Sequence, residues 1–164
     1  MELSREALAA TSQRLTAMVE TVRSILARKG SRVWCLEPGA TVYDAIALMA
    51  EKGVGALVVL AEGKVAGIIS ERDYARKVIL KGKSSLHTQV REIMSTPVIT
   101  VTPEHTVGEC LEIITRNRIR HLPVLEGESL AGVVTSGDLV SAIISAQADT
   151  IHHLSSYISG KYPG

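Results

Sequence analysis

Two seven-residue segments hold the side chains best suited to chemistry: Gly67-Ile68-Ile69-Ser70-Glu71-Arg72-Asp73 and Gly132-Val133-Val134-Thr135-Ser136-Gly137-Asp138. Both fit Gly-h-h-(Ser/Thr)-x-x-Asp, with h apolar, at a point where a β-prone run hands over to a helix-prone one. A hydroxyl at the end of a strand and a carboxylate in the first helical turn surround the free N–H groups of a helix N-terminus. Such a cluster can hold a polyol and an adjacent phosphate: the carboxylate accepts from two neighbouring ribose hydroxyls while the N–H groups face the anion. The glycine lets the backbone come close. The same residues also make a plain helix cap, with Ser70 or Thr135 satisfying the backbone and the Asp as first-turn acid. One arrangement can do both.

The segments lie 65 residues apart because the chain is duplicated. Pro38 to Lys77 align with Pro103 to Ala142 without a gap, and nine of the 40 pairs are identical, among them Leu57 with Leu122, Gly67 with Gly132 and Asp73 with Asp138. Each copy predicts a short strand (Val33 to Leu36; Val98 to Val101), then a helix opened by a capping box, Thr41-x-x-Asp44 or Thr106-x-x-Glu109. An apolar strand follows (Ala56 to Leu60; Leu122 to Leu125), with a Gly-containing turn into its hairpin partner (Val65 to Ile69; Leu130 to Val134). A second helix runs from Glu71 to about Leu80, or from Ser136 to about Ala146. The order is βαββα, twice, in an α+β or α/β fold.

This divides the chain into a first repeat at residues 31–81, a polar linker at 82–95, a second repeat at 96–147 and a short tail at 148–164. Residues 1–30 hold an amphipathic helix with the stripe Leu8, Leu15, Val19, Val22, Ile25 and Leu26, which must pack on the chain's own core or on a second protomer.

The duplicated motif on a duplicated βαββα frame resembles a pair of cystathionine-β-synthase (CBS) domains, the Bateman module, over about residues 31 to 146. The resemblance implies two repeats related by pseudo-two-fold symmetry. It also implies an adenosine-containing ligand in the cleft between them, which in different members is AMP, ADP, ATP, NAD or S-adenosylmethionine. Ser70, Asp73, Thr135 and Asp138 would then hold ribose at two related sites. The position before the Leu-x-Val-Leu strand would face phosphates. There the second copy has Arg120 and His121 where the first has Gly55 and Ala56, so two unequal pockets are expected, with Arg120 the stronger clamp. Arg72 is a further phosphate candidate, replaced by Gly137 in the second copy. With no Phe in the chain, adenine would lie between aliphatic walls, for which Val33, Val98 and Ile99 are the candidates. A homodimer is implied as well.

Composition narrows the alternatives. A net charge of +1 and only one Trp and four Tyr argue against a nucleic-acid binder, which needs a basic excess or stacking rings. No apolar run reaches the roughly 18 residues that cross a bilayer, and Glu2, Glu6 and Glu20 count against a secretory or mitochondrial leader, so a cytoplasmic protein is expected. Cys35 and Cys110 sit in apolar contexts without a CxxC and read as buried free thiols. His152 and His153 are adjacent and fall on different helix faces, so no metal site is expected. A Ser70, His121, Asp138 triad lacks a nucleophile elbow, and there is neither a P-loop nor a Gly-x-Gly-x-x-Gly. The expectation is neither an enzyme nor a protein with a catalytic cofactor. It is a regulatory protein that senses adenine nucleotides and signals to a partner in trans, the alternative being a ligand-free dimeric interaction module.

Overall fold

The structure, a computed structural model, describes residues 5–158; residues 1–4, and 159–164 of the tail, lie outside it. The chain forms two compact units.

One unit comprises Ser31–Val101 and Pro123–Val133. In it β1 (Cys35–Leu36) runs parallel to β2 (Ala56–Ala61), and β2 pairs antiparallel with β3 (Lys64–Ser70), from Ala56 opposite Ser70 to Ala61 opposite Lys64. Glu62 and Gly63 both take positive φ, 52° and 78°, at the hairpin tip. Two such residues in succession give a turn whose twist suits the strands it joins. The helix α3 (Val42–Lys52) begins where the Thr41 hydroxyl accepts the Asp44 amide and ends at a left-handed Gly53. It buries Val42, Ala45 and Met49 against Leu57, Val59 and Ile69. After β3 comes α4 (Glu71–Lys77). It stops short of Leu80, and a 3-10 turn at Ile79–Lys81 takes over.

The polar stretch between the repeats carries a helix of its own, α5 (Val90–Ile93), whose two apolar ends join the same core. Backbone bonds dock it on the start of α3: Val42 N–H donates to Thr88 O, Val90 N–H to Ala40 O and Arg91 N–H to Pro38 O.

The other unit comprises the chain up to Gly30, Thr102–Leu122 and the chain from Val134. Its N-terminal stretch is two helices, α1 (Arg5–Val19) and α2 (Val22–Lys29), where the sequence suggested one. Thr21 breaks them: its backbone is extended and its hydroxyl accepts the Ser24 amide, a local bond that competes with helix continuation. The expected apolar stripe divides accordingly. Val22 and Ile25 are buried, Leu8, Leu15 and Val19 are exposed, and Ala17 faces inward instead. The helices α1, α6 (Val107–Asn117) and α7 (Ser136–Ile158) pack on one another. α7 runs twelve residues beyond Ala146 because no Gly or Pro stands in its way before Gly160.

The docking of α5 on α3 recurs here. Val107 N–H donates to Glu20 O, Val22 N–H to His105 O and Arg23 N–H to Pro103 O, so α2 caps the start of α6. Val22-Arg23-x-Ile25 and Val90-Arg91-x-Ile93 are the same short motif, and each docks on the repeat that does not directly follow it. α2 has eight residues to the four of α5, a full turn more.

The second hairpin, β4 (His121–Glu126) with β5 (Ser129–Thr135), repeats the first. The strand expected at Val98 to Val101 is reduced to one parallel bridge, Val101 with Val124.

Candidate functional site

At the end of β3 the chain turns into α4 through a capping box. The Ser70 hydroxyl accepts the Asp73 amide at 3.2 Å, and Asp73 Oδ2 accepts the Ser70 amide and the Ser70 hydroxyl, both at 2.9 Å. On the other carboxylate oxygen, Lys77 Nζ stands at 2.8 Å and Ser95 Oγ donates at 3.2 Å. Asp73 is only 8% exposed. Ser95 is held there by its backbone, paired both ways with Ile68, and Lys77 also donates to Ile93 O at 2.8 Å. A Cβ on Gly67 would stand 2.5 Å from Met94 Sδ. The motif glycine therefore makes room for the Met94 side chain in the segment that brings Ser95 to Asp73.

The corner between β5 and α7 has the same skeleton. Asp138 Oδ2 accepts the Thr135 amide at 2.8 Å, and Thr135 Oγ1 accepts the Asp138 amide at 3.1 Å. Its company differs. Lys29, the last residue of α2, places Nζ 2.6 Å from Asp138 Oδ2, and the Asp138 side chain stays 22% exposed. The carbonyl of Arg120 accepts the Ser136 amide at 3.0 Å, as that of Gly55 accepts the Glu71 amide. Residue 120 is thus fixed one hydrogen bond from the first turn of α7. Arg120 is exposed, and among the described residues no carboxylate pairs with it. This corner assembles a carboxylate, a hydroxyl, the Lys29 ammonium and the N-terminal N–H groups of a long helix, with the backbone of Arg120 beside them, a set that can receive a vicinal diol and an anion.

The remaining candidates are more dispersed. His121 opens β4 half-buried, and Arg72 is exposed in the first turn of α4. Val33 and Val98 are half-buried and Ile99 is 38% exposed. Lys29 and Ser95 were not among the site residues read from the sequence, and Lys77 reads there as part of a solvated basic helix face, whereas it pairs with Asp73. Lys29 and Ser95 reach their carboxylates from 109 and 22 residues away, and the shared Val-Arg-x-Ile motif was the available sign that α2 and α5 perform one task. Burial raises both thiols, Cys110 to about 11 with help from the Glu109 charge, which favours the protonated form of each at neutral pH. Among the described residues no cluster of three metal-binding side chains occurs, and no helix is long and apolar enough to cross a membrane.

Comparison with known proteins matches residues 20–79 and 90–145 to the CBS domain family, so each match begins at or just before α2 or α5. The CBS domain-containing protein CBSX3, mitochondrial, of Arabidopsis thaliana is 44% identical over 138 residues, 81% of this chain and 66% of that relative, so the chain spans just under two thirds of its length. Among solved structures, a CBS-domain protein from Burkholderia ambifaria MC40-6 is 48% identical with a TM-score of 0.75, covering 76% of this chain and 94% of that one. A hexameric CBS-CP12 protein from bloom-forming cyanobacteria is 33% identical with a TM-score of 0.67, covering 75% and 71%. CBS domains generally bind adenosine-containing ligands and serve in regulation, and no catalytic family is matched here. On its tandem βαββα repeats, its paired strand-to-helix corners and these matches, the chain belongs to the CBS-domain family, as a CBS-domain pair.

Proposed function

We propose that this protein is a regulatory sensor in the cytoplasm that binds an adenine nucleotide, AMP, ADP, ATP or NAD, and passes the signal to a partner protein in trans. The carrying observation is the corner at the start of α7. There the Asp138 carboxylate, 22% exposed, supports a ribose contact, and the backbone of Arg120 is tied to the same helical turn. Asp73 offers a second ribose receptor that must first release Ser95 or Lys77, so it is the weaker of the two. Arg72 and His121 are assigned to phosphate, and Val33, Val98 and Ile99 to the walls around adenine.

Calorimetric titration with AMP, ADP, ATP, NAD and adenosine tests this reading. At least one nucleotide binds. Arg120→Ala weakens AMP about five- to tenfold, the loss expected for a charge-assisted bond at a partly solvated phosphate, and leaves adenosine unchanged. Equal loss for both compounds would remove Arg120 from the phosphate role. Failure of every nucleotide to bind would leave the ligand-free dimeric interaction module.

The module acts as a dimer or larger assembly in this proposal. Leu8, Leu15 and Val19 form a stripe along α1, and Val140, Ile144 and Ile151 another along α7, all from 49% to 68% exposed on helices that pack together. Apolar stripes at helical spacing call for a cover, and the hexameric relative shows that this fold can assemble. Light scattering at micromolar concentration gives a dimer or more for the parent chain and a monomer for the Leu15→Glu, Ile144→Glu double variant. A monomeric parent would refute the assembly.

A further inference from the structure

We propose that Lys29 is a built-in competitor for the ribose at the Asp138 corner and thereby selects phosphorylated ligands over bare nucleosides. This rests on the ribose reading of Asp138. The ammonium stands 2.6 Å from Asp138 Oδ2, on the carboxylate that an incoming diol must engage.

The pair is not an inheritance of the duplication. In the first copy the lysine beside the aspartate comes from the same helix, Lys77 at i+4, and the counterpart of Lys77 is Ala142. In the second copy the cation arrives from 109 residues away, on the turn by which α2 exceeds α5. The repeat offset records that addition: 65 residues between the strand-to-helix corners, 68 between the Val-Arg-x-Ile motifs. Three extra residues between Ile25 and Val33, relative to Ile93 and Val98, are nearly one helical turn, and the longer helix carries Lys29.

The base of this arm is fixed and its tip is partly exposed. Val22 and Ile25 are 0% and 3% exposed, and the amides of Val22 and Arg23 are bonded to the segment ahead of α6. The Lys29 side chain is 34% exposed, so its ammonium borders water even while it is paired. A pair this accessible is weak, which suits a group that must yield. While it holds, only a fraction of molecules presents an open carboxylate, and apparent affinity falls by that fraction. A nucleoside meets this competition uncompensated. A nucleotide does not, because its phosphate gives the displaced ammonium a new partner at the same corner.

The test titrates adenosine and AMP separately into the parent chain, Lys29→Met and Lys29→Ala, methionine keeping the apolar stem and the helix propensity of α2. With an open fraction of about 0.1 to 0.3, adenosine binds both variants roughly three- to tenfold more tightly. AMP gains less or loses affinity, so the preference for AMP over adenosine falls at least about threefold. Adenosine affinity that is unchanged or weaker in both variants overturns the inference. If Asp138→Ala abolishes binding while the Lys29 variants match the parent, the ribose reading stands and this inference alone fails. If neither the parent nor the variants bind either compound, both fall together.

Discussion

Replacing Asp138 with alanine is expected to weaken adenosine and AMP binding at least about thirtyfold, while the protein stays folded. Two ribose hydroxyls donating to one carboxylate make two charge-assisted bonds, each worth about 1.5 to 3 kcal/mol at a site shielded from water. The corner is still partly solvated, which places the sum near the lower end, at about 2 to 4 kcal/mol. The structural loss is smaller. Asp138 Oδ2 accepts the Thr135 amide, and removing such a cap costs about 1 kcal/mol, a fall of about 2 to 4 °C in the thermal midpoint. α7 is also held by its packing against α1 and α6. Calorimetry of Asp138→Ala beside the parent decides the matter. Binding within threefold of the parent would leave Asp138 as a helix cap and nothing more.

What the sequence disclosed and what it hid follow from the range of the interactions concerned. The duplication was legible because equivalent positions face equivalent environments. Leu57 and Leu122, or Val59 and Val124, fill matching core sites, and selection on burial keeps their types alike. Helix N-caps are local, so Thr41, Thr106 and the two aspartate motifs could be read within four residues, although at Thr41 only the hydroxyl half of the expected capping box forms. The helix at Val90–Ile93 was hidden because four residues cannot show a period, and its polar flanks resemble a linker. The break at Thr21 was hidden too, since the apolar spacing of the N-terminal stripe continues through it while the hydroxyl cap ends the helix.

The partners of the two aspartates lie deeper still. Nothing near Asp138 in sequence announces Lys29, because an added turn matters only once α2 has been docked beside α6 by backbone bonds between residues about 80 positions apart. The inequality expected from Arg120 against Gly55 was thus only part of the difference between the copies. The larger part is what each carboxylate already holds: Ser95 and Lys77 on a nearly buried Asp73, and Lys29 on an accessible Asp138.

That difference sets the consequence of the matching change at the other corner. Asp73→Ala is expected to lower stability by about 2 kcal/mol, a fall of about 4 to 8 °C in the thermal midpoint, while leaving adenosine binding at the Asp138 corner within threefold of the parent. The cap on α4 contributes about 1 kcal/mol. The bonds from Ser95 and Lys77 contribute about as much again. A fully buried ion pair would cost more to break, about 3 to 5 kcal/mol, but the Lys77 side chain is 43% exposed and can turn to solvent when its partner is gone. The loss also has a place. With the carboxylate removed, nothing on α4 holds Ser95, and Lys77 keeps only its bond to Ile93 O. Amide hydrogen exchange should therefore quicken first at α5 and at the Ser95 to Ile68 bridge, before the sheet of β1, β2 and β3 is affected. A midpoint within 1 °C of the parent, with α5 protected as before, would show that Asp73 is not the tie that holds α5 to its repeat.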